Sequence, residues 1–471
     1  MTSETGKAKP AVTERAGRGG PGPVIPVKNP IFAGMKRIFR VFLVSVLLVA
    51  GSAACHAQRT GVREEVRADW NKSAGLDCLY DCSPQAATPA PKGYEPVYLT
   101  HYGRHGSRYA YTSRTYTELL DMLEAGAKDG NLTDDGAALR EVLGAFWETA
   151  QYRVGDLTPK GWEQHRWIAG TMVRSFPSAF RKGSRVDACA STSIRSILSM
   201  GACCLTLAQL CPDIEIYEHQ GLLDVQVTAP NMGRNPFRYE GSVPPLPWQE
   251  TAEEFFLRTF PEYTRVLARL FKDPEAALGD RSPFMVFFHL YMLVAGMESL
   301  PDDVRIDVGG IFEPEEFATM WEVDNFERFR EYYPYQTACA AIVDDMVAKA
   351  EERLAAGSRG ADLRFGHDHC LMTLLMLMDI DGAGHVPDTP DDLVYWFQTF
   401  RSPMATNLQL VFYTPKRGRG GDILVKLLLN GGEARFGDLV PAAGPYYRWA
   451  DLKAYLKART DLFVTNRPAR P

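Results

Sequence analysis

Short alternating apolar runs and longer runs with helical spacing follow one another along the chain. A strand pattern at 97–100 leads into a polar loop, and a second at 185–190 leads directly into a helical run. Between them, helical spacing predicts helices at 115–127 and 134–152, and a third that has Thr158 as its N-cap and a proline at its first position. Strands that alternate with helices predict an α/β fold.

The middle of the chain has a different pattern. Residues 220–357 are rich in aromatic residues and helical runs, with predicted helices at 251–271, 284–298, 314–332 and 335–356. Strand patterns return at 361–365, 408–413 and 423–429, and a last helix is predicted at 449–458. The sequence therefore predicts an α/β domain in two parts, 92–219 and 358–471, separated by an inserted α-helical domain at 220–357. We expect the alternating run at 408–413 to belong to a half-buried hairpin at the sheet edge.

The first 57 residues have the composition of an extension and a targeting segment. Residues 1–34 are rich in Gly, Pro, Lys and Arg, which predicts disorder. Residues 35–57 have a positively charged start, an apolar run and small residues, as in a secretory signal peptide, and Met35 is an alternative start of the chain. Cleavage after Ala57 gives a soluble exported protein, whereas lipidation of Cys55 gives a lipoprotein tethered in the periplasm or at the cell surface. The sequence leaves both open.

The overall composition excludes some classes of partner. The chain is 45% hydrophobic and 23% charged, with a formal net charge of -6, so no global basic field favours nucleic acid or acidic membranes. Apart from Cys55, eight cysteines remain. In an oxidising compartment we expect Cys78 and Cys82, in the polar lead segment 58–91, to be the local disulfide pair. A zinc site that combines them with Cys203 and Cys204 is the alternative.

Candidate chemistry is concentrated in the polar loop after the first strand. Arg104, His105 and Arg108 lie within five residues, and burial of two guanidinium groups requires an anionic partner. Arginine binds phosphate oxygens through two parallel hydrogen bonds, and a neutral imidazole among such donors is able to attack phosphorus. Gly106 lets the backbone approach a ligand closely. The loop therefore predicts a phosphate site with a histidine nucleophile.

A second cluster follows the strand at 185–190. Hydroxyl residues at 191–193 are expected to cap the free amides of the next helix, whose positive end favours an anion. Arg195 lies in the first turn of that helix, which places it at the same site; a surface arginine is the alternative. His165 lies on the buried stripe of the preceding helix, and we interpret it as a core histidine or one packed beside the site.

A third cluster lies far along the chain. His367 and Asp368 stand at the junction between the strand at 361–365 and a helix, and 367 - 105 = 262 positions separate the two histidines. The two histidines come together only if their strands belong to the same sheet. A sequential α/β order with an insertion places the strands in one sheet. For Asp368 the alternative is a simple helix N-cap. His369 is expected to pack beside the site.

These segments resemble a known family. Arg104-His105-Gly106-Ser107-Arg108 resembles the RHGxR signature of the histidine phosphatase superfamily, in its acid phosphatase, phytase and multiple inositol polyphosphate phosphatase branch. Ala190-Ser191 followed by Arg195 resembles the A-S-x-x-x-R segment of the inositol polyphosphate phosphatases, and His367-Asp368 is similar to the H-D pair of the acid phosphatases and phytases.

The resemblance implies an α/β fold in which a sheet is flanked by helices and an α-helical cap domain is inserted. It also implies phosphatase activity through a phosphohistidine. His105 is the expected nucleophile and Asp368 the acid and then the base, and no metal or cofactor is implied. The phosphate is expected to be held by four further side chains: Arg104, Arg108, Arg195 and His367. Because Asp368 must be protonated to act as an acid, an acidic optimum is predicted.

Several functions fit these expectations. The first is an exported phosphomonoesterase that forms a phosphohistidine and acts on inositol polyphosphates such as phytate; the second is a broad acid phosphatase on sugar or nucleotide monophosphates. The export signal and the insertion disfavour a phosphomutase. A non-catalytic envelope lipoprotein that binds phosphorylated ligands is disfavoured by the presence of both His105 and Asp368. Candidates for contact with the rest of a substrate are Asn231, Arg234 and Asn235.

Overall fold

A mixed eight-stranded sheet forms the centre of the fold. This computed structural model describes residues 61–232, 235, 237–416 and 420–468. The spatial order of the sheet is β3-β2-β5-β1-β6-β7-β8, with β9 paired to β7, and β4 and β10 form a separate ladder. The strands are β1 (Tyr94–Arg104), β2 (Arg185–Ala190), β3 (Glu215–Gln220), β4 (Glu240–Gly241), β5 (Gly360–Gly366), β6 (Asn407–Pro415), β7 (Leu424–Leu429), β8 (Gly432–Glu433), β9 (Tyr446–Arg448) and β10 (Val464–Asn466).

Fifteen helices are present in the described residues, apart from short 3-10 turns. They are α1 (Val62–Arg67), α2 (Trp70–Ser73), α3 (Arg114–Lys128), α4 (Asp134–Ala150), α5 (Pro159–Ser175), α6 (Ile194–Leu210), α7 (Leu222–Thr228), α8 (Ala252–Thr259), α9 (Thr264–Leu270), α10 (Pro274–Leu278), α11 (Pro283–Gly296), α12 (Pro314–Tyr332), α13 (Gln336–Ala355), α14 (Asp368–Leu377) and α15 (Trp449–Asp461). Helices lie on both sides of the central sheet, which confirms the predicted α/β class.

Parallel pairing brings the predicted functional segments to one edge of the sheet. Strands β1 and β2 both pair in parallel with β5, so that Arg104 lies opposite Gly366 and Ala190 lies opposite Phe365. The carboxyl ends of the three strands therefore meet, as is usual for a ligand site in an α/β sheet. One sheet face, which includes Leu99 of β1, packs against α5 and α6 in a single apolar cluster.

The region 220–357 is predominantly helical. It contains α7 to α13 and the two-residue strand β4, which pairs with β10 near the end of the chain. The predicted helix at 251–271 is two helices, α8 and α9, because Pro261 removes a backbone donor and clashes with the preceding turn. The domain boundaries at 219/220 and 357/358 remain predictions.

Two expectations about other regions were wrong. Strand β6 is not at the sheet edge; it lies between β1 and β7, and seven of its nine residues are buried. Cys78 and Cys82 are not paired: both thiols are free, and the buried Cys78 Sγ donates to the carbonyl of Phe400 at 3.5 Å. The described residues contain no group of three or more His, Cys, Asp or Glu side chains arranged to hold a metal.

The amino-terminal segment has more structure than a polar lead predicts. Within 58–91 the described part carries α1, α2 and a 3-10 turn at Gly75–Asp77. The expected extension at 1–34 and the signal peptide at 35–57, with Cys55, lie outside the described residues. Within 61–468, gaps apart, no helix is both long enough and apolar enough to cross a bilayer.

Candidate active site

The motif loop is fixed by backbone hydrogen bonds on both sides. Arg104 is the last residue of β1, and its amide donates to the carbonyl of Thr406 at 2.8 Å. The amide of His105 donates to the carbonyl of Gly366 at 3.1 Å, and the carbonyl of His105 accepts from Ala405 at 2.9 Å. The start of the loop is therefore held between the end of β5 and the segment that enters β6.

Helices α5 and α6 support the loop from behind. The Ser107 amide donates to Gln164 Oε1 at 2.9 Å, and Gln164 Nε2 donates to the Ser107 hydroxyl at 2.9 Å. The Gly106 amide donates to Ser199 Oγ at 3.1 Å. A Cβ on Gly106 would lie 2.4 Å from the carbonyl oxygen of Gly161, so only glycine permits this close approach of loop and helix.

The ring of His105 is oriented by its own loop. Its Nδ1 lies 2.9 Å from the carbonyl oxygen of Gly106, and a carbonyl only accepts, so Nδ1 carries the proton and Nε2 keeps its lone pair. The residue is 1% exposed. Burial, followed by the positive charges of Arg195 and Arg104, lowers the pKa of His105 well below its ordinary value. His105 is therefore a neutral imidazole with a free Nε2, the state that a nucleophile requires.

Each of the three arginines whose charges act on His105 has at least one buried nitrogen without a hydrogen-bond partner. Arg104 Nη1 donates to the carbonyls of Leu76 and Ser402, whereas its Nε and Nη2 are buried without a hydrogen-bond partner. The Nε atoms of Arg108 and Arg195 are unpartnered in the same way. Buried donors are normally satisfied, so these atoms mark the place of an anion.

Arg108 and Arg195 reach this site from different elements. Arg108 Nη2 lies 3.5 Å from Asp77 Oδ1, which neutralises part of its buried charge. Arg195 is in the first turn of α6, and burial, with the charge of Arg108, lowers the pKa of Arg195 to about 10, so it remains charged at neutral pH. The charge of Arg195 in turn acts on His105. The charges of Arg195, Arg104 and Arg108 all act on His105, whereas their roles toward a phosphate remain predictions.

His367 faces His105 with a ring centroid separation of 5.5 Å. Its Nε2 lies 2.9 Å from Ser191 Oγ and 3.4 Å from Ser193 Oγ. Burial and then the charge of His369 lower the pKa of His367 well below its ordinary value. The expectation that hydroxyls at 191–193 cap α6 was wrong for Ser193, its N-cap residue, because that side chain caps no amide.

Asp368 is the first residue of α14 and not its N-cap, which is His367. Its Oδ2 lies 3.6 Å from Arg104 Nη2, and its side chain is 21% exposed. Burial raises the pKa of Asp368, but the positive charge of Arg104 and the neighbouring His369 outweigh burial and hold that pKa well below its ordinary value. The carboxyl group is therefore ionised when no further anion lies beside Arg104.

The remaining predicted residues that the structure describes make contacts of other kinds. His165 is fully buried with its ring centroid 5.6 Å from that of Phe365, and burial lowers the pKa of His165 to about 3, in keeping with a core histidine. His369 stacks on His367 at 5.3 Å, as expected of a residue beside the site. Asn231 Oδ1 accepts from Cys370 Sγ at 3.2 Å. Asn235 Nδ2 donates to the carbonyl of Pro230, and Arg234 lies outside the described residues.

Sequence reasoning missed two residues that complete the site. Asp77, the ion-pair partner of Arg108, comes from the amino-terminal segment and has no local signal in the sequence. Tyr332, at the end of α12, directs its hydroxyl to Asp368 Oδ2 at 3.4 Å. A signal did exist for Tyr332: Asp324, Arg328 and Tyr332 recur every four residues, which places two charges on the buried face of one helix.

Comparison with protein-family models and with curated protein sequences gives no match. Among solved structures, the multiple inositol polyphosphate phosphatase of Bifidobacterium longum in complex with inositol hexasulfate superimposes with a TM-score of 0.67 and 18% identity, over 85% of this chain and 100% of that one. Its complex with phosphate gives a TM-score of 0.65, also at 18% identity and over the same shares. The phytase from D. castellii gives 0.60 at 13% identity, over 84% of this chain and 85% of that one. The chain thus has the fold of the histidine acid phosphatases.

Proposed function

We propose that this protein is a phosphoric monoester hydrolase that transfers the phosphoryl group to His105 and then to water. The observation that carries the proposal is the state of His105: a neutral imidazole with a free Nε2, surrounded by buried guanidinium donors that have no acceptor. A phosphoryl group placed there satisfies those donors and lies in line with the nucleophile.

The first step forms a phosphohistidine. His105 Nε2 attacks phosphorus and forms a P–N bond, while the P–O bond to the leaving alkoxide breaks. Asp368, as a carboxylic acid, gives its proton to that alkoxide. Arg104, Arg108 and Arg195 bind the non-bridging oxygens and stabilise the charge of the transition state, and we assign His367 as a further donor to the phosphoryl group.

The second step releases phosphate. Asp368, now a carboxylate, removes a proton from water as the water oxygen attacks phosphorus, and the P–N bond breaks to regenerate neutral His105. The same carboxyl group therefore serves as acid and then as base, and the proton balance of the cycle closes without another group.

The ionised state of Asp368 in the free enzyme is compatible with this cycle. Arg104 is the first of the charges that lower the pKa of Asp368, and a phosphate ester brings negative charge to the same guanidinium. Substrate binding therefore raises the pKa of Asp368 and favours its protonation on the substrate complex. An optimum on the acidic side of neutrality follows.

We assign inositol polyphosphates such as phytate as the substrate class. The solved structure with the TM-score of 0.67 is an inositol polyphosphate phosphatase bound to inositol hexasulfate. Inositol hexasulfate, like phytate, is a polyanionic ester of an inositol ring. Sugar or nucleotide monophosphates are the alternative, since the arginines around His105 bind one phosphoryl group whatever its ester. We further propose export directed by the segment 35–57, followed either by cleavage after Ala57 or by lipidation of Cys55.

The test compares three proteins with phytate and with p-nitrophenyl phosphate in the presence of a chelator, by assay of free phosphate. The wild type is expected to release phosphate, and His105→Ala to lower kcat by on the order of 10⁴-fold or more. His219→Ala is the matched control, because His219 lies on the exposed edge strand β3. Phosphate release that survives His105→Ala, or a wild type inactive on both esters, would overturn the proposal.

A further inference from the structure

Helix α12 presents a row of polar side chains to the candidate site. Asp324, Arg328 and Tyr332 are spaced by four residues and so lie on one face of the helix. All three are buried, and Tyr332 is 3% exposed. Burial of charged and polar groups is unfavourable unless each has a partner, so the partners show what this face does.

Arg328 fixes the helix beside Tyr332. Its Nε lies 3.1 Å from Asp324 Oδ1 and its Nη1 lies 3.1 Å from Glu331 Oε2. Its guanidinium carbon lies 5.1 Å from the ring centroid of Phe288 and 6.0 Å from that of Tyr332. The phenol ring of Tyr332 is thus held at a defined place by an ion-paired, ring-stacked arginine.

The hydroxyl of Tyr332 is directed at one carboxylate oxygen. It lies 3.4 Å from Asp368 Oδ2, the oxygen that also faces Arg104 Nη2 at 3.6 Å. Burial raises the pKa of Tyr332 well above its ordinary value, so the hydroxyl keeps its proton and acts only as a donor here. Catalytic hydrogen bonds commonly shorten when a substrate binds.

We propose that Tyr332 is a positioning residue for Asp368, an inference that rests on the proposed phosphatase function. The Tyr332 hydroxyl donates to Oδ2, and the charge of Arg104 lies 3.6 Å from the same oxygen, whereas His369 Nδ1 lies 3.8 Å from Oδ1. A proton on the carboxyl group therefore resides on Oδ1. Oδ1 then delivers the proton to the leaving alkoxide, and the orientation of the carboxyl group is set by a helix of the 220–357 region. Tyr332 itself touches no reacting atom.

The leaving group of the substrate distinguishes this role from a structural one. Nitrophenolate departs without a proton, whereas an alkoxide needs the acid in the transition state. We expect Tyr332→Phe, which keeps the ring, to lower kcat/KM on glycerol phosphate by about tenfold or more, the scale of one lost hydrogen bond to a charged group. On p-nitrophenyl phosphate the same variant is expected to change kcat/KM by less than about twofold, because kcat/KM reports only the transfer to His105, which then needs no acid, and not the later attack of water.

Two further variants serve as controls. Asp368→Asn is expected to show the same dependence on the leaving group with a larger loss, and Tyr332→Phe added to it should cause no further loss. Tyr335→Phe is the matched control: its ring also lies 6.2 Å from His369, but the described structure shows no hydrogen bond from Tyr335 to Asp368. The ratio of its rate on glycerol phosphate to its rate on p-nitrophenyl phosphate should equal that of the wild type.

The outcomes separate this inference from the function. An equal loss on both esters in Tyr332→Phe, with wild-type activity present, overturns the positioning role alone. A wild type inactive on both esters removes the function and this inference together. If Tyr332→Phe does not fold, 3-fluorotyrosine at position 332 keeps ring and hydroxyl and changes only the acidity of that hydroxyl. The ratio of the two rates should then shift, and an unchanged ratio overturns the inference.

Discussion

Arg104 Nη2 lies 3.6 Å from Asp368 Oδ2, although the two residues are 368 - 104 = 264 positions apart in the chain. Strand pairing explains the contact: Arg104 ends β1 opposite Gly366, and Asp368 begins the helix that follows β5. The pair links the phosphate-binding loop to the acid and base of the proposed reaction. An anion bound to Arg104 therefore changes the protonation of Asp368.

Proton uptake on anion binding tests this link. Sulfate does not titrate near neutrality, and its charge offsets that of Arg104, so it should raise the pKa of Asp368 and cause proton uptake at acidic pH. Calorimetric titration with sulfate in two buffers of different ionisation enthalpy measures this uptake. Asp368→Asn should bind sulfate with smaller uptake. Uptake equal in the two proteins would contradict the proposed coupling.

The histidines should titrate in two groups. Burial, aided for His105 by the nearby arginines, lowers the pKa of His105, His165 and His367, whereas the pKa of His219 is raised by its hydrogen bond to Asp224. In the folded protein the first group should stay neutral as the pH falls through about 6.5, where a free histidine gains its proton. Imidazole NMR of labelled protein measures this.

Assignment of the His105 signal comes from its loss in His105→Ala. A His105 signal that titrates at or above about 6.5 would show that the nucleophile is protonated in the working range, against the proposed mechanism. The lowered pKa of these histidines also affects stability. Because each of them binds a proton more tightly in the unfolded chain than in the folded one, protonation favours unfolding. These histidines should therefore destabilise the fold progressively as the pH falls below about 6.5.

Arg195 should contribute to the transition state as well as to binding. Arg195→Met removes the charge with similar length, and we expect kcat/KM to fall by on the order of 10²–10³-fold, as for the loss of one preorganised donor. Arg195→Lys keeps the charge but loses the planar pair of donors, so an intermediate loss is expected. Arg181→Met, at an exposed position, is the control. Steady-state kinetics with either ester measure the effect, and a loss of less than about twofold in Arg195→Met would show that Arg195 does not stabilise the transition state.

Local sequence signals were sufficient where a strand or helix has its own boundary residues. Pro314 begins α12 at the predicted position, and β2 has the predicted limits, Arg185–Ala190. Alternation did not reveal that β6 is an interior strand, because apolar positions on one face are also found in strands covered on both faces. The position of a strand in a sheet depends on its neighbours, which the local pattern does not contain.

The same distinction holds for the site. Arg104, His105 and Arg108 share one loop, and their residue types alone indicate phosphate. Asp77 and Tyr332 join them only through packing of distant segments, so neither has a motif. Ser193 shows the converse: its place before α6 predicts a cap, but in the folded chain its hydroxyl lies near His367.

The close approach of the motif loop to α5 gives a prediction for stability. A Cβ on Gly161 would lie 2.3 Å from the carbonyl oxygen of Ser107. Backbone has to shift to relieve that contact, so Gly161→Ala should destabilise the fold by about 1–3 kcal/mol and lower kcat by displacing the loop that carries His105. Gly144, within α4, has its nearest such atom at 4.0 Å. Gly144→Ala should therefore stabilise the fold by up to about 1 kcal/mol, the gain in helix propensity. Urea denaturation of the two variants measures the difference, and equal stability would show that the loop and helix are not in close contact in solution.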